Sequence, residues 1–292
     1  MWMAPFSLLP DLPGLICWNI LNIVIFILGM RTLPVEKRRQ PVMYLFLIIE
    51  MVIALTSSQC NVLITGLFVL AYNSLEKKQL WLATLLLVIT IYIKLFGVVA
   101  LSLLLLYPGR LKSALYTALW TVVIGLMPLL VVSPEQLLFL YKSWGSLLSN
   151  DYSASNGVSV MGWWHTWFNI NISKQLFLLS AAALFMAPVI RSFYYKEQNF
   201  RLPMLASILI WVVIFNHKGE SPTYIIAMTG VAVWYFTSTP TRINTILVLL
   251  TLVFTSFSST DIITPYWIAS TYVEPYAVKA VFCSIVWLKI VL

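Results

Sequence analysis

Residues Leu80 to Tyr107 read LWLATLLLVITIYIKLFGVVALSLLLLY. An apolar α-helix crosses the ~30 Å hydrocarbon core of a bilayer in about 20 residues, so this run is too long for one ordinary crossing. Lys94, followed by Gly97, interrupts its middle. A lysine held at mid-bilayer costs at least about 2.5–3.5 kcal/mol. The cost is avoided if the run folds back as two half-segments, 80–93 and 95–107, that meet at a wet surface with the amine at the tip. A two-part helical hairpin is therefore expected.

The rest of the chain is of the same kind. Of its 292 residues 61% are hydrophobic and 10% charged, and the mean hydropathy is +0.91. Soluble domains carry roughly 25% charged residues, so the chain lacks the polar surface to coat a water-soluble globule. Further apolar segments fall at 12–31, 42–57, 61–75, 113–133, 175–190, 203–215, 223–236, 243–257 and 276–292. With the hairpin this predicts an all-α, polytopic integral membrane helical bundle of about 10–11 membrane segments. Residues 1–292 form a single transmembrane domain. Several segments are short, which calls for local bilayer thinning or flanking Trp and Tyr.

Charge supports the hairpin. With the N-terminus of the chain outside, the inner loops collect Arg31, Lys37, Arg38, Arg39, Lys77, Lys78, Arg110, Lys112, Arg191, Lys196, Arg201, Arg242 and Lys289. Lys94, Lys142, Lys174, Lys218 and Lys279 stay outside, where Asp11, Glu135, Asp151, Glu220, Asp261 and Glu274 gather. A single span through 80–107 would put Lys77 and Lys78 opposite Arg110 and Lys112, against the positive-inside rule. The C-terminus then lies inside. A chain that begins outside with no visible translocation signal suggests that full-length homologues carry a further helix upstream. The net charge of +8 belongs to these loops and not to a nucleic-acid surface.

The longest excursion, 134–174, lies outside. Leu137, Leu138, Leu140, Tyr141 and Trp144 have the spacing of an amphipathic interfacial helix. A polar turn region follows, then Trp163, Trp164, Trp167 and Phe168 around His165. These aromatics read either as an interfacial belt or as a platform for a sugar or the first isoprene units of a lipid.

Polar groups are concentrated at few places. Ser57-Ser58-Gln59-Cys60-Asn61 is an uncharged outer turn. Lys94 is either a snorkelling lysine or an ammonium for a lipid phosphate. Asn216-His217-Lys218-Gly219-Glu220-Ser221 is either a charged turn or a phosphate site in which His217, Lys218, Ser221 and the amides opening the next helix converge. Asp261 to Trp267 is a loop without an assigned role. Glu50, inside an apolar helix, faces the bundle interior or is neutral. Cys17, Cys60 and Cys283 lack a CxxC pair or a histidine at ligand spacing, which argues against a metal site. No Walker A, GxSxG, HExxH or Rossmann pattern is present, and no cofactor is expected.

Gln59-Cys60-Asn61, the linker Glu76-Lys77-Lys78, Lys94, and Leu106-Tyr107-Pro108-Gly109-Arg110 resemble the "GQxN … K … P … RR" core of the GT87 (DUF2029) glycosyltransferases of the GT-C superfamily. The opening Ala4 to Pro10, Trp18 to Asn22, Tyr141 to Trp144, Asn156 to Ser159 and His217 fall in the matching order. The resemblance implies a multi-pass plasma- or inner-membrane enzyme of the cell envelope. Such an enzyme takes a mannose-like or arabinose-like sugar from a polyprenyl-phosphate carrier and passes it to an extracytoplasmic lipid or glycan acceptor. Gln59, Asn61 and Lys94 would line the site, and Lys94, His217 and Lys218 would hold the carrier phosphate. Two departures stand out: Ser58 replaces the usual glycine, and the family's first outer loop, with its catalytic acid, has no counterpart. Glu220 is the remaining outer acid near the proposed phosphate ligands, and a truncated or inactive enzyme is one expectation. The alternative from another class is a non-enzymatic lipid or polysaccharide transporter, with a polar path reaching the inner face.

Overall fold

The computed structural model describes residues 5–149, 156–169, 173–190, 197–260 and 263–292. Asp151, Arg191, Lys196, Asp261 and the polar turn at 150–155 lie outside the described residues. Among the described residues every regular element is helical, and the protein is an all-helical bundle of membrane type.

The chain runs through α1 (Asp11–Met30), α2 (Gln40–Thr56), α3 (Asn61–Glu76), α4 (Leu80–Ile93) and a short α5 (Phe96–Ala100) that continues as a 3-10 turn to Leu106. Then come α6 (Arg110–Leu126), α7 (Pro134–Ser149), α8 (Val160–Phe168), α9 (Lys174–Met186) and α10 (Gln198–Ile214). The chain closes with α11 (Tyr224–Phe236), α12 (Arg242–Thr251), α13 (Tyr266–Ile268) and α14 (Val278–Val291). Each expected apolar segment is thus helical. Asp11–Met30, Arg110–Leu130 and Arg242–Ser259 are long and apolar enough to cross a membrane by length and composition; the remaining apolar helices are shorter.

α3, α10 and α11 are buried along most of their length. Around them α1, α6 and α12 turn Leu12, Ile20, Leu111, Leu115, Val122, Ile243 and Leu249 outward. So continuous an apolar exterior is tolerated only by lipid. Without a water-driven hydrophobic force between helices, close backbone approach supplies the packing. α1 and α3 meet at Gly29 and Gly66: a Cβ on Gly66 would stand 2.6 Å from the Ile25 carbonyl oxygen, and one on Gly29 would stand 2.8 Å from that of Gly66.

The expected hairpin is present. α4 stops at Ile93, Lys94 is extended (φ −147°, ψ 144°), and α5 folds back. Gly97 makes the reversal possible, because a Cβ there would collide with the Thr90 hydroxyl and stand 2.7 Å from the Ile91 nitrogen. At the base, Tyr107 donates to Glu76 Oε1 at 2.5 Å, while Arg201 grips the same carboxylate through Nε (2.7 Å) and Nη2 (2.9 Å). Residue 107 therefore returns to where α3 ended, and a bidentate ion pair ties that point to α10.

Consequently the bundle has two ends of different character. Arg31, Arg39, Lys77, Lys78, Arg110, Arg201 and Arg242 lie at the Glu76 end; the opposite end holds residues 57–60, Lys94 and the α10–α11 connection. α7 forms as the helical spacing of Leu137 to Trp144 predicts, and its apolar side chains Leu138, Phe139 and Leu147 remain exposed. At its start, the backbone amide of Glu135 and the Ser133 hydroxyl hold the Glu135 carboxyl below its ordinary range.

Replacing Gly66 by Ala should force α1 and α3 apart. A loss of about 1–3 kcal/mol is expected for such overpacking, readable as a lowered unfolding midpoint in detergent micelles, with no comparable loss for Gly145→Ala, where the added Cβ meets open space.

Candidate functional site

At the tip of the hairpin the Lys94 ammonium is held by two side-chain amides. Its Nζ donates to Asn61 Oδ1 at 2.9 Å and to Gln59 Oε1 at 3.2 Å, and lies 5.5 Å from the centre of the Phe96 ring. The amides are locked in turn: Asn61 Nδ2 donates to Gln59 Oε1 (2.7 Å) and to the Pro222 carbonyl (2.9 Å), and Gln59 Nε2 donates to Glu220 Oε2 (2.9 Å). Gln59 thus bridges a cation and a carboxylate. An ammonium has three donors, and among the described residues two of them are directed at these amides.

The scaffold fixes this network from several sides. Buried Asn22 accepts from the Leu63 backbone N–H at 3.0 Å, satisfying one of the amides that a helix start leaves without an internal partner, and so holds the first turn of α3, which carries Asn61. The Trp18 indole donates to the Ser58 carbonyl at 3.3 Å. Ser58 itself sits at φ +54°, a left-handed conformation that costs a side-chain-bearing residue roughly 1–2 kcal/mol. The glycine expected before Gln59 in the resembling family thereby has a physical reason.

Opposite lies the connection 215–223. The Asn216 side chain accepts from the Lys218 N–H (3.0 Å) and its carbonyl from the Gly219 N–H (2.8 Å), forming a tight turn. The segment 156–159 docks on it: Val158 N–H donates to the Gly219 carbonyl at 2.8 Å, and Tyr224 Oη donates to the Val158 carbonyl at 2.9 Å.

Between these parts is a cavity of about 330 Å³, lined by Ile91 to Phe96, Trp144, Leu148, Asn216, Lys218, Glu220 and Thr223. That is within the roughly 300–1,000 Å³ of small-molecule sites. Beside it runs a groove of about 290 Å³ lined by Tyr92, Ile124, Pro128, Leu137, Leu140, Tyr141 and Trp144. Tyr92 and Trp144 belong to both. Tyr92 donates to the Thr121 carbonyl (2.8 Å) and Tyr141 to that of Gly125 (2.6 Å), which fixes the groove's aromatic wall on α6.

Of the residues singled out in the sequence, Gln59, Asn61, Lys94 and Glu220 are joined in one network; Lys94, Glu220 and Lys218 line the cavity, while Gln59 and Asn61 stand behind its wall as the partners that hold Lys94. His217 is half-buried beside the Gly157 turn and does not line the cavity. Nor does Ser221, whose hydroxyl accepts from Lys279 Nζ at 2.8 Å. Lys279, expected at the outer surface, is buried and paired with Glu50, which does face the bundle interior. Trp163, Trp164, Trp167 and Phe168 form an edge-to-face cluster in α8 rather than a wall of the cavity. The aromatic wall comes instead from Tyr92 and Trp144. Their signal was present in the sequence, Tyr92 standing two residues before Lys94 and Trp144 on the amphipathic stretch, but nothing there brings the two together. Among the described residues no cluster of His, Cys, Asp or Glu could hold a metal ion.

Fold and site together define a polytopic helical membrane protein with a cavity at one end that carries Lys94, Lys218 and Glu220 on its wall, and with an apolar groove beside it. The glycosyltransferase family 87 profile matches residues 1–257, and the chain belongs to that family. No curated protein and no solved structure matches it.

Ser58→Gly should raise stability by about 1 kcal/mol by relieving the left-handed backbone, whereas Ser58→Val should lower it. Chemical denaturation in micelles would register both shifts.

Proposed function

We propose that the protein transfers a sugar from a polyprenyl-phosphate carrier to an extracytoplasmic lipid or glycan acceptor, with the Lys94 end of the bundle facing the outside. The observation that carries this reading is the joining of Lys94 and Glu220, both on the wall of the cavity, through a single amide, Gln59, with an apolar groove that shares Tyr92 and Trp144 with that cavity.

Each part has a chemical task. Transfer from a phosphosugar breaks the bond between the anomeric carbon and the phosphate oxygen, so negative charge accumulates on the departing phosphate. A fixed ammonium beside that oxygen stabilises the charge in a site of low dielectric, and Lys94 is held by two amides that are themselves bonded to their surroundings. Lys218, on the same wall, supplies a second cation. The acceptor hydroxyl must lose its proton as it attacks, and Glu220 is the carboxylate positioned to take it. The groove between Tyr92, Leu137, Leu140 and Trp144 suits the first isoprene units, which gain about 25 cal/mol per Å² of apolar surface removed from water. A mannose-like or arabinose-like sugar then occupies the cavity beside Asn216 and Thr223. His217 backs the turn that presents Lys218.

α4 is 14 residues long, about 21 Å at 1.5 Å per residue, against the ~30 Å hydrocarbon core. The amine therefore lies below the outer headgroup level, reached through the cavity, where a carrier phosphate can approach from the side. The basic end around Arg31, Arg39, Lys77, Arg110 and Arg201 then faces the cytoplasm. A transporter needs a polar route between the two ends, whereas the intervening α3, α10 and α11 are packed with buried apolar side chains such as Phe68, Leu209 and Ile226.

Lys94→Ala should weaken binding of farnesyl phosphate by roughly ten- to a hundredfold, the worth of a hydrogen bond to a charged group of about 1.5–3 kcal/mol. Glu220→Gln should leave that binding intact and cut transfer of labelled mannose or arabinose from the farnesyl-phosphoryl sugar, with a native membrane extract as acceptor, by on the order of 10²–10⁴. Unchanged binding in the first variant and unchanged transfer in the second would defeat the reading. Orientation is tested separately: with the three native cysteines replaced, a cysteine at Lys142 should react with an impermeant maleimide on intact cells, and one at Lys112 only after lysis.

A further inference from the structure

Inside the bundle, away from the cavity wall, lies a buried ion pair that the reaction outlined above does not use. Lys279, in the first turn of α14, is 4% exposed at its side chain, and Glu50 of α2 is 0% exposed. The ammonium stands 2.9 Å from Glu50 Oε1 and 3.2 Å from Oε2, and 5.1 Å from the centre of the Tyr224 ring. It also donates to Ser221 Oγ at 2.8 Å.

The last contact gives the pair its meaning. Residues 220 to 222 are consecutive, and each accepts a hydrogen bond from a side chain outside the segment. Glu220 accepts from Gln59, Ser221 from Lys279, and the Pro222 carbonyl from Asn61. Gln59 and Asn61 pull on the segment from the Lys94 side, and Lys279 holds it from α2 and α14. Burying two charges costs several kcal/mol per ion, and well-packed apolar residues of similar volume often serve stability as well or better. A stabilising role therefore does not account for the pair, whereas a directed donor anchored on an immobile carboxylate does. α14 also lies beyond residues 1–257, the part matched by the family.

We propose that Lys279 and Glu50 are positioning residues. Anchored on Glu50, Lys279 fixes Ser221 and thereby the direction in which the neighbouring Glu220 carboxylate meets the acceptor hydroxyl. This rests on Glu220 serving as the base. Misplacement of a reacting group by about 1 Å can cost up to 10²-fold in rate, so loss of the tether should slow turnover without loosening the donor.

The double variant Glu50→Leu/Lys279→Met removes both charges and leaves neither unpaired. It should unfold at a temperature close to that of the parent in micelles, yet show faster hydrogen exchange at the amides of residues 219–221. Its turnover with the farnesyl-phosphoryl sugar should fall on the order of tenfold, with KM for that donor within about twofold. Ser221→Ala cuts the same tether while keeping the ion pair and should reproduce both effects, and Ser221→Thr, which keeps a hydroxyl, should restore turnover. Ser221→Ala remains decisive if the double variant fails to fold. Parental turnover in these variants, with or without faster exchange, overturns the positioning role while Glu220→Gln remains inactive. Parental turnover in Glu220→Gln itself instead removes the base assignment on which the role depends.

Discussion

One ammonium governs the architecture. Lys94 cannot be left in hydrocarbon, so the most apolar stretch of the chain breaks where it occurs and returns along itself. The break carries the amine to the end of the bundle where the 57–61 turn and the 216–223 connection converge. There the Gln59 and Asn61 amides replace the water the ammonium gave up. The same amides reach across to Glu220 and the Pro222 carbonyl, so a lysine's solvation becomes the joint between two halves of a site.

The joint works only because its mounts are rigid. Asn22 secures the start of α3, and the Gly29–Gly66 crossing lets α1 approach closely enough for Asn22 to reach it. At the other end Glu76 gathers Tyr107 and Arg201, closing the hairpin and fixing α10, which leads directly into the Asn216 turn. This family 87 protein is thus a bundle whose apolar centre separates two polar ends, one basic and one shaped into a cavity.

Much of the site was legible because its residues break local rules. A lysine in a leucine-rich run, an amide-rich turn between apolar helices and a His-Lys-Glu cluster at a helix junction each stand out against the surrounding composition. Four of them, Gln59, Asn61, Lys94 and Glu220, converge as their types suggest. Pairings between distant segments were not legible there. Lys279 resembles any lysine near a helix start, and only its partner on α2, 229 positions away in sequence, reveals that it is buried. The tryptophans of α8, read in the sequence as an interfacial belt or a ligand platform, pack edge to face on one another away from the cavity lining, with Trp167 left exposed.

The sequence by itself determined the solvent, the helical class and the hairpin, because each follows from local transfer free energies: apolar length against bilayer thickness, and the cost of an isolated charge in lipid. Tertiary structure alone decided which polar groups share a cavity, that Tyr92 and Trp144 wall it, that Ser221 turns to Lys279, and that Glu50 has a cation. Those are pairings between distant segments, fixed by how helices cross and where backbones come close, and no local property of any one segment encodes them.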